Sequence, residues 1–328
     1  MAELSNQLMA FTVLAYLGAM VCYAAEYAFG KRSHIGRAAA RPAQQLVGAG
    51  GPPVTEEAVS PVQPASPVQP AEPRDRGALL GRIAVGFNVL ALLLHLGTLA
   101  ARGVAADRMP WGNMYEFILS VSFVASAAWL GILARRPGIR HLGLFVALTM
   151  VVLLGANGLI AYTPVGPLVP ALNSYWFVIH VATIILASGI LLVGAVPAAM
   201  FLLRTGYDEG KRRFPYTLGK RAPEAGMLER LTFRLHAFAF PLFTFGALIA
   251  GPLWAEASWG RYWGWDPKEV WAFISWIVYA GYLHARATPS VKRTTATWIA
   301  LIGFATMLMN LFGVNLFFEG LHSYANAG

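Results

Sequence analysis

Eight apolar stretches of about 20 residues, each with at most two charges, alternate with segments that carry most of the charge in this chain. They run near 8–29, 79–101, 113–134, 141–160, 175–203, 231–253, 269–287 and 294–316. About 20 residues is the helix length that crosses a bilayer core of ~30 Å. In hydrocarbon such a segment must satisfy its own backbone polar groups, which makes each one a helix. Hydrophobic residues make up 57% of the 328 and charged residues 12%, which excludes a soluble globular protein. The expected fold class is an all-α integral membrane protein with about eight transmembrane helices.

Orientation follows from the basic residues. With the loops assigned alternately to two faces, one face collects all of the 25 Lys and Arg except Arg102, Arg108, Arg261 and Lys268. The positive-inside rule makes that face cytoplasmic. Both termini and the segment between stretches six and seven are then expected outside, in a multi-pass protein of the cytoplasmic membrane with an extracytoplasmic active face. The formal charge of +9 reflects membrane orientation and gives no reason to expect nucleic acid as a partner.

Three regions are expected. Residues 1–30 form a first transmembrane helix; Lys31 and Arg32 follow it rather than precede it, the pattern of an uncleaved helix and not of a signal peptide. Residues 31–78 are rich in Pro and Ala, with the near repeat Ser60-Pro-Val-Gln-Pro-Ala and Ser66-Pro-Val-Gln-Pro-Ala. Such a segment buries too little apolar area to offset its ordering entropy, and it reads as a disordered cytoplasmic linker. Residues 79–328 form the main transmembrane domain. Cys22 is the one cysteine, so any thiol chemistry draws its thiols from another protein.

Half of the ten tryptophans lie between Trp254 and Trp271, in a run that includes Trp259-Gly-Arg-Tyr-Trp-Gly-Trp-Asp-Pro-Lys-Glu. The segment 254–271 reads as an outer loop. An aromatic belt at the membrane interface is the plain alternative, but belt residues scatter over many helix ends and these are concentrated in one place. Gly260 and Gly264 beside them permit tight turns and close ligand approach. The segment suggests a surface for a large, flat, apolar ligand. Asp266-Pro267-Lys268-Glu269 is a helix-start signal, with Asp at the N-cap, Pro at N1 and Glu at N3 as in a capping box. Capping is a sufficient role for Asp266.

Histidines inside membrane segments are costly enough to raise a functional hypothesis. His180 lies about one and a half turns into the helix that begins near Tyr175, and His322 follows the last helix. Both can approach the tryptophan segment, and two neutral imidazoles from different helices can ligate a porphyrin iron from its two faces. His284 lies roughly 20–25 Å further in at 1.5 Å per residue, too far to share an iron with either. A deeper site there would need another ligand, from His236 at comparable depth or from a neighbouring subunit. His95 sits among leucines and reads as a packing or hydrogen-bonding residue. His34 and His141 read as solvated or interfacial.

The tryptophan run resembles the WWD signature of the haem-handling proteins of cytochrome c maturation. From Tyr175 to Ala325 the chain is similar to the CcsA (ResC) subunit of the System II cytochrome c synthetase, a subunit labelled CcsB in some lineages. Supporting segments are Phe240-Pro-Leu-Phe-Thr-Phe-Gly, Ala280-Gly-Tyr-Leu-His-Ala-Arg, Phe312-Gly-Val-Asn, Gly320-Leu-His-Ser-Tyr-Ala and, earlier, Asn113-Met-Tyr-Glu-Phe. The resemblance implies covalent attachment of haem b to the Cys-x-x-Cys-His motif of an apocytochrome c outside the membrane. It implies that His180 and His322 are axial ligands of an outer haem. His284 would be a ligand of a deeper one, its opposite ligand coming from a CcsB/ResB-like partner subunit. Trp254, Trp259, Trp263, Trp265 and Asp266 are the remaining expected haem-binding residues, and a thiol–disulfide reductant protein is a further expected partner. No catalytic residue is assigned apart from haem ligation. A haem exporter or chaperone without synthetase activity would use the same histidines. A redox or structural membrane protein with packed histidines would purify without haem.

Overall fold

A computed structural model describes residues 1–29 and 76–322. The expected linker, with His34, lies outside the described residues except at its end, where Arg76 already begins a helix. The described residues contain eight long helices and no strand. These are α1 (Ala2–Phe29), α2 (Arg76–Ala106), α3 (Met114–Arg135), α4 (Gly143–Ile160), α5 (Tyr175–Asp208), α6 (Ala225–Trp259), α7 (Pro267–Ala287) and α8 (Arg293–Phe317). Each covers one of the eight apolar stretches. Seven are long and apolar enough to cross a membrane. The one outside that count, α7, spends Trp271, Ser275, Trp276, Tyr279, Tyr282 and His284 on its length, residues that give it aromatic and polar faces at the expense of aliphatic ones.

Local chemistry sets several helix starts. Asn113 accepts the Glu116 N–H at 2.9 Å to cap α3, and Ser174 accepts the Trp176 N–H at 3.2 Å to cap α5. Asp266 and Glu269 form the expected capping box of α7, with Pro267 at N1. α1 lies along α2 and against α4; α3 joins α4 to α5; α5 is central, touching α6 and α8; α7 packs on α6 and α8. The largest apolar cluster fills the space between α3, α4 and α5 and reaches Trp254 of α6.

Hydrogen bonds define the two ends of the bundle. At one, Ser5 donates to the Thr98 carbonyl at 3.1 Å and Asn6 to the Tyr162 hydroxyl at 3.1 Å. This end gathers the start of α1, the α2–α3, α4–α5 and α6–α7 connections, and His322. At the other, Arg140 pairs with Glu26, Arg286 with Glu229, and Tyr27 donates to the Leu218 carbonyl at 2.7 Å.

The first end is held by a buried charge cluster. Glu116 on α3 pairs with Arg102 of α2 at 2.9 Å and with Arg108 of the α2–α3 connection at 2.7 Å. It also accepts the Gly112 N–H at 2.8 Å. Arg102 donates onward to the Thr163 carbonyl, and Arg108 to that of Gly166 at 3.2 Å. One carboxylate thereby ties α2, α3 and the α4–α5 connection together.

Candidate functional site

α6 is helical through Trp259, so Trp254 and Trp259 stand on a helix where the composition suggested a loop. Tryptophan tolerates a helix, and the break comes at Gly260, whose φ of 69° is the left-handed C-terminal geometry that glycine adopts without strain. The loop proper is 260–266.

Within α6, Gly246–Ala250 forms a π turn in which the Gly251 N–H bonds the Gly246 carbonyl. That carbonyl also accepts a hydrogen bond from Nδ1 of His180 at 2.8 Å. A carbonyl can only accept, so the proton sits on Nδ1 and the lone pair of the neutral ring is on Nε2. A Cβ at 246 would meet Thr183 Oγ1 at 2.8 Å, and one at 251 would meet the His180 ring at 3.1 Å, so both glycines are needed for α5 and α6 to approach. The His180 ring stacks on Trp254, with centroids 5.5 Å apart and planes 11° from parallel. Trp254 is held in turn by donation from Nε1 to the Ala171 carbonyl at 3.0 Å.

His322 reaches the same tryptophans from the far end of the chain. Its ring lies 5.5 Å from Trp254 and 5.0 Å from Trp259, edge to face. Both imidazoles therefore touch one indole. His322 donates from Nδ1 to Asp266 Oδ1 at 2.7 Å, which again puts the lone pair of the neutral ring on Nε2. Asp266 also accepts the Lys268 N–H at 3.0 Å and the Leu321 N–H at 2.6 Å. Burial alone would raise the Asp266 carboxyl, but the hydrogen bonds from His322 and the two amides outweigh it and hold the group below its usual range. Gly320 runs so close to Asp266 Oδ2 that a Cβ there would clash.

His180, His322, Trp254, Trp259 and Trp263 all line one cavity of about 180 Å³. Trp111, Met114 and Phe117 close it from the α3 side, and Lys268 and Glu269 from α7. Two polar atoms in its wall, Trp263 Nε1 and Asn310 Oδ1, are buried without a hydrogen-bond partner. Both are groups that a polar ligand in the cavity could satisfy.

A model of the family described as "Cytochrome C assembly protein" matches residues 111–322. That span opens at Trp111 and closes at His322, two walls of the cavity. The chain belongs to the cytochrome c assembly family. Relatives named "Cytochrome c biogenesis protein CcsA" include one from Gloeobacter violaceus, 32% identical over 298 residues that cover 76% of this chain and 88% of the relative. One from Guillardia theta is 31% identical over 74% and 85%, and one from Synechococcus elongatus is 32% identical over 75% and 89%. Among solved structures, the protein titled "Cytochrome c Heme Lyase CcmF" superposes with a TM-score of 0.59 at 17% identity. The match covers all of this chain and 49% of that one, so the chain spans about half the length of that protein and shares its fold.

Not every residue expected at the family's site reaches the cavity. Trp265 is 71% exposed and lies outside the wall. The Glu269 carboxylate binds the amides of Gly264 at 2.8 Å and Asp266 at 3.1 Å. That clamp holds Trp265 at a φ of 56°, rare for a bulky side chain, and turns the indole outward. Asp266 acts through His322 and does not line the cavity. His284 is exposed on α7, far from the cavity. His236 is buried against Tyr279 and Tyr282 of the same helix. Tyr282 and His284 are two residues apart, about 200° around a helix, so His236 and His284 face different sides of α7. His95 packs edge-on to Tyr16 and Phe123. Trp111, Met114, Phe117 and Lys268 were missed by sequence reasoning. The available signal was Asn113-Met-Tyr-Glu, whose Asn caps a helix that carries Met114 and Phe117 on one face.

Proposed function

We propose that the chain works in cytochrome c biogenesis, holding haem between His180 and His322 at the extracytoplasmic membrane face for covalent attachment to Cys-x-x-Cys-His of an apocytochrome c. The observation that carries this reading is the matched pair of imidazoles. Each donates Nδ1–H to a fixed acceptor, each presents Nε2 as its lone-pair nitrogen, and both line one aromatic cavity. Histidines that bind metals are oriented in this way by a carbonyl or carboxylate behind the ring. The chemistry supplied by haem b is its vinyl groups, across which substrate thiols add as S–H to C=C with no net oxidation.

The protein's share is position and environment. Trp254, Trp259 and Trp263 cover the macrocycle and exclude water. The Gly246 carbonyl and Asp266 hold the two imidazoles in the ligating tautomer. The substrate's own histidine would take the place of one of them. Exposed His284 would hold a second haem together with a CcsB/ResB-like subunit. A thiol–disulfide reductant protein keeps the substrate cysteines reduced.

The test is the absorption spectrum of the full chain purified with its partner subunit. A six-coordinate, low-spin bis-imidazole spectrum is expected; a chain that never carries haem overturns the reading. Asp266→Asn places an amide N–H against a donor it now accepts from, and is expected to weaken the outer haem roughly 10–100-fold. The pH dependence has a definite sign. The Asp266 carboxyl is held below the usual carboxylate range, so it is ionised at neutral pH and loses its charge only as pH falls through that lowered value. Binding titrations on wild type and Asp266→Asn should therefore differ at neutral pH and converge in acid. Equal affinity at pH 7 would remove Asp266 from the site.

A further inference from the structure

Of the four basic residues on the cavity side of the sequence, three are accounted for. Arg102 and Arg108 neutralise Glu116, and Arg261 is exposed. The fourth, Lys268, is the second residue of α7 and lines the cavity. Among the described residues no carboxylate forms an ion pair with its ammonium; its one side-chain hydrogen bond is to the Met114 sulfur at 3.6 Å, a weak acceptor, and the charge of Asp266 acts on it from further off. The nearby carboxylates are committed elsewhere: Asp266 to His322, Lys268 N–H and Leu321 N–H, Glu269 to the amides of Gly264 and Asp266. The Trp263 Nε1–H in the same wall also lacks an acceptor. A partly buried ammonium whose one acceptor is a thioether, and a buried indole N–H with none, are costly to maintain. Together they describe a subsite for an anionic acceptor at the rim of an otherwise aromatic cavity.

We propose that Lys268, with the indole N–H of Trp263, receives a carboxylate of the macrocycle held between His180 and His322. This rests on the haem reading above and adds an orientation to it. Protoporphyrin carries its two propionates along one edge and its vinyls on the others. An anchor on α7 fixes the propionate edge there and leaves the vinyl edges toward the rest of the cavity and its mouth, where thiols must arrive. Lys268 is a positioning residue in this scheme, with no part in bond formation.

The experiment compares iron protoporphyrin IX with its dimethyl ester, titrated into the full chain in one detergent and read by Soret absorbance. Wild type is expected to bind the free acid roughly tenfold to a hundredfold more tightly than the ester, the range of a hydrogen bond between charged groups. Lys268→Met is expected to bring that ratio toward one while keeping the bis-imidazole spectrum; Lys268→Arg is expected to preserve it. Unequal partitioning of the two porphyrins into micelles cancels when ratios are compared between variants. Trp263→Phe, which keeps the ring and removes one donor, is expected to narrow the ratio by a smaller factor and serves if Lys268→Met fails to fold. Equal affinity of wild type for acid and ester, or an unchanged ratio in Lys268→Met, overturns the anchor while leaving the haem site intact. If neither porphyrin gives a six-coordinate spectrum with wild type, the haem reading itself falls and the anchor with it.

Discussion

His180→Ala and His322→Ala are each expected to lose the outer haem and stop cytochrome c maturation, while His284→Ala leaves the outer haem's spectrum in place. The structure separates ligand loss from fold loss. Removing the His180 ring leaves the Gly246 carbonyl bonded to the Gly251 N–H, so no buried acceptor is orphaned. Removing the His322 ring leaves Asp266 still accepting from Lys268 and Leu321. Both variants should therefore insert and purify in normal yield. Imidazole added to the buffer can enter the space that the missing ring vacates, and partial return of the low-spin spectrum is expected. Recording the spectrum and the holocytochrome yield with and without imidazole checks the assignment. Normal maturation in both alanine variants would sink it.

Glu116→Gln is expected to damage the fold itself. Glu116 is fully buried, and Arg102 is 1% exposed. With the carboxylate gone, two guanidinium groups lose the charge that compensates them, a loss of about 3–5 kcal/mol for a broken buried pair. The Tyr115 ring, 4.7 Å from the Arg102 guanidinium, recovers only a small part of this. Because the same arginines hold the carbonyls of Thr163 and Gly166, the α4–α5 connection should loosen with them, and with it the carbonyl of Ala171 that positions Trp254. Thermal unfolding in detergent should show a large drop in midpoint, and Glu116→Gln combined with Arg108→Gln should recover part of it. An unchanged midpoint for the single variant would mean that the cluster is not stabilising.

Particular residues show what can be read from sequence and what cannot. The number and order of the helices were legible because hydrocarbon permits one solution for an apolar stretch of that length. The Asp266–Glu269 capping box was legible because its partners lie within four residues. The convergence of His180 and His322 followed from depth along helices whose ends are fixed by the same rule. Pairings across the chain were not legible. Asp266 reads as a helix cap and is one, but it also holds His322, a contact across 56 residues made by packing that no spacing encodes. Lys268 looked like part of a helix-start signal, and Arg102 and Arg108 like loop charges, because their partners and surroundings come from other helices. Trp265 was grouped with its neighbours by composition; a backbone clamp from Glu269 separates it from them.

The π turn at Gly246–Ala250 amounts to one residue inserted into an otherwise α-helical register. Deleting any one residue there would let α6 close as a plain helix, at no loss of length worth noting. The Gly246 carbonyl and the Gly251 N–H would still pair, so Trp254 and Trp259 would keep nearly the same facing. What would be lost is the widened turn in which the Gly246 carbonyl also accepts the His180 Nδ1–H at 2.8 Å. The single surplus residue thus serves the acceptor behind His180 and not the direction of the tryptophans.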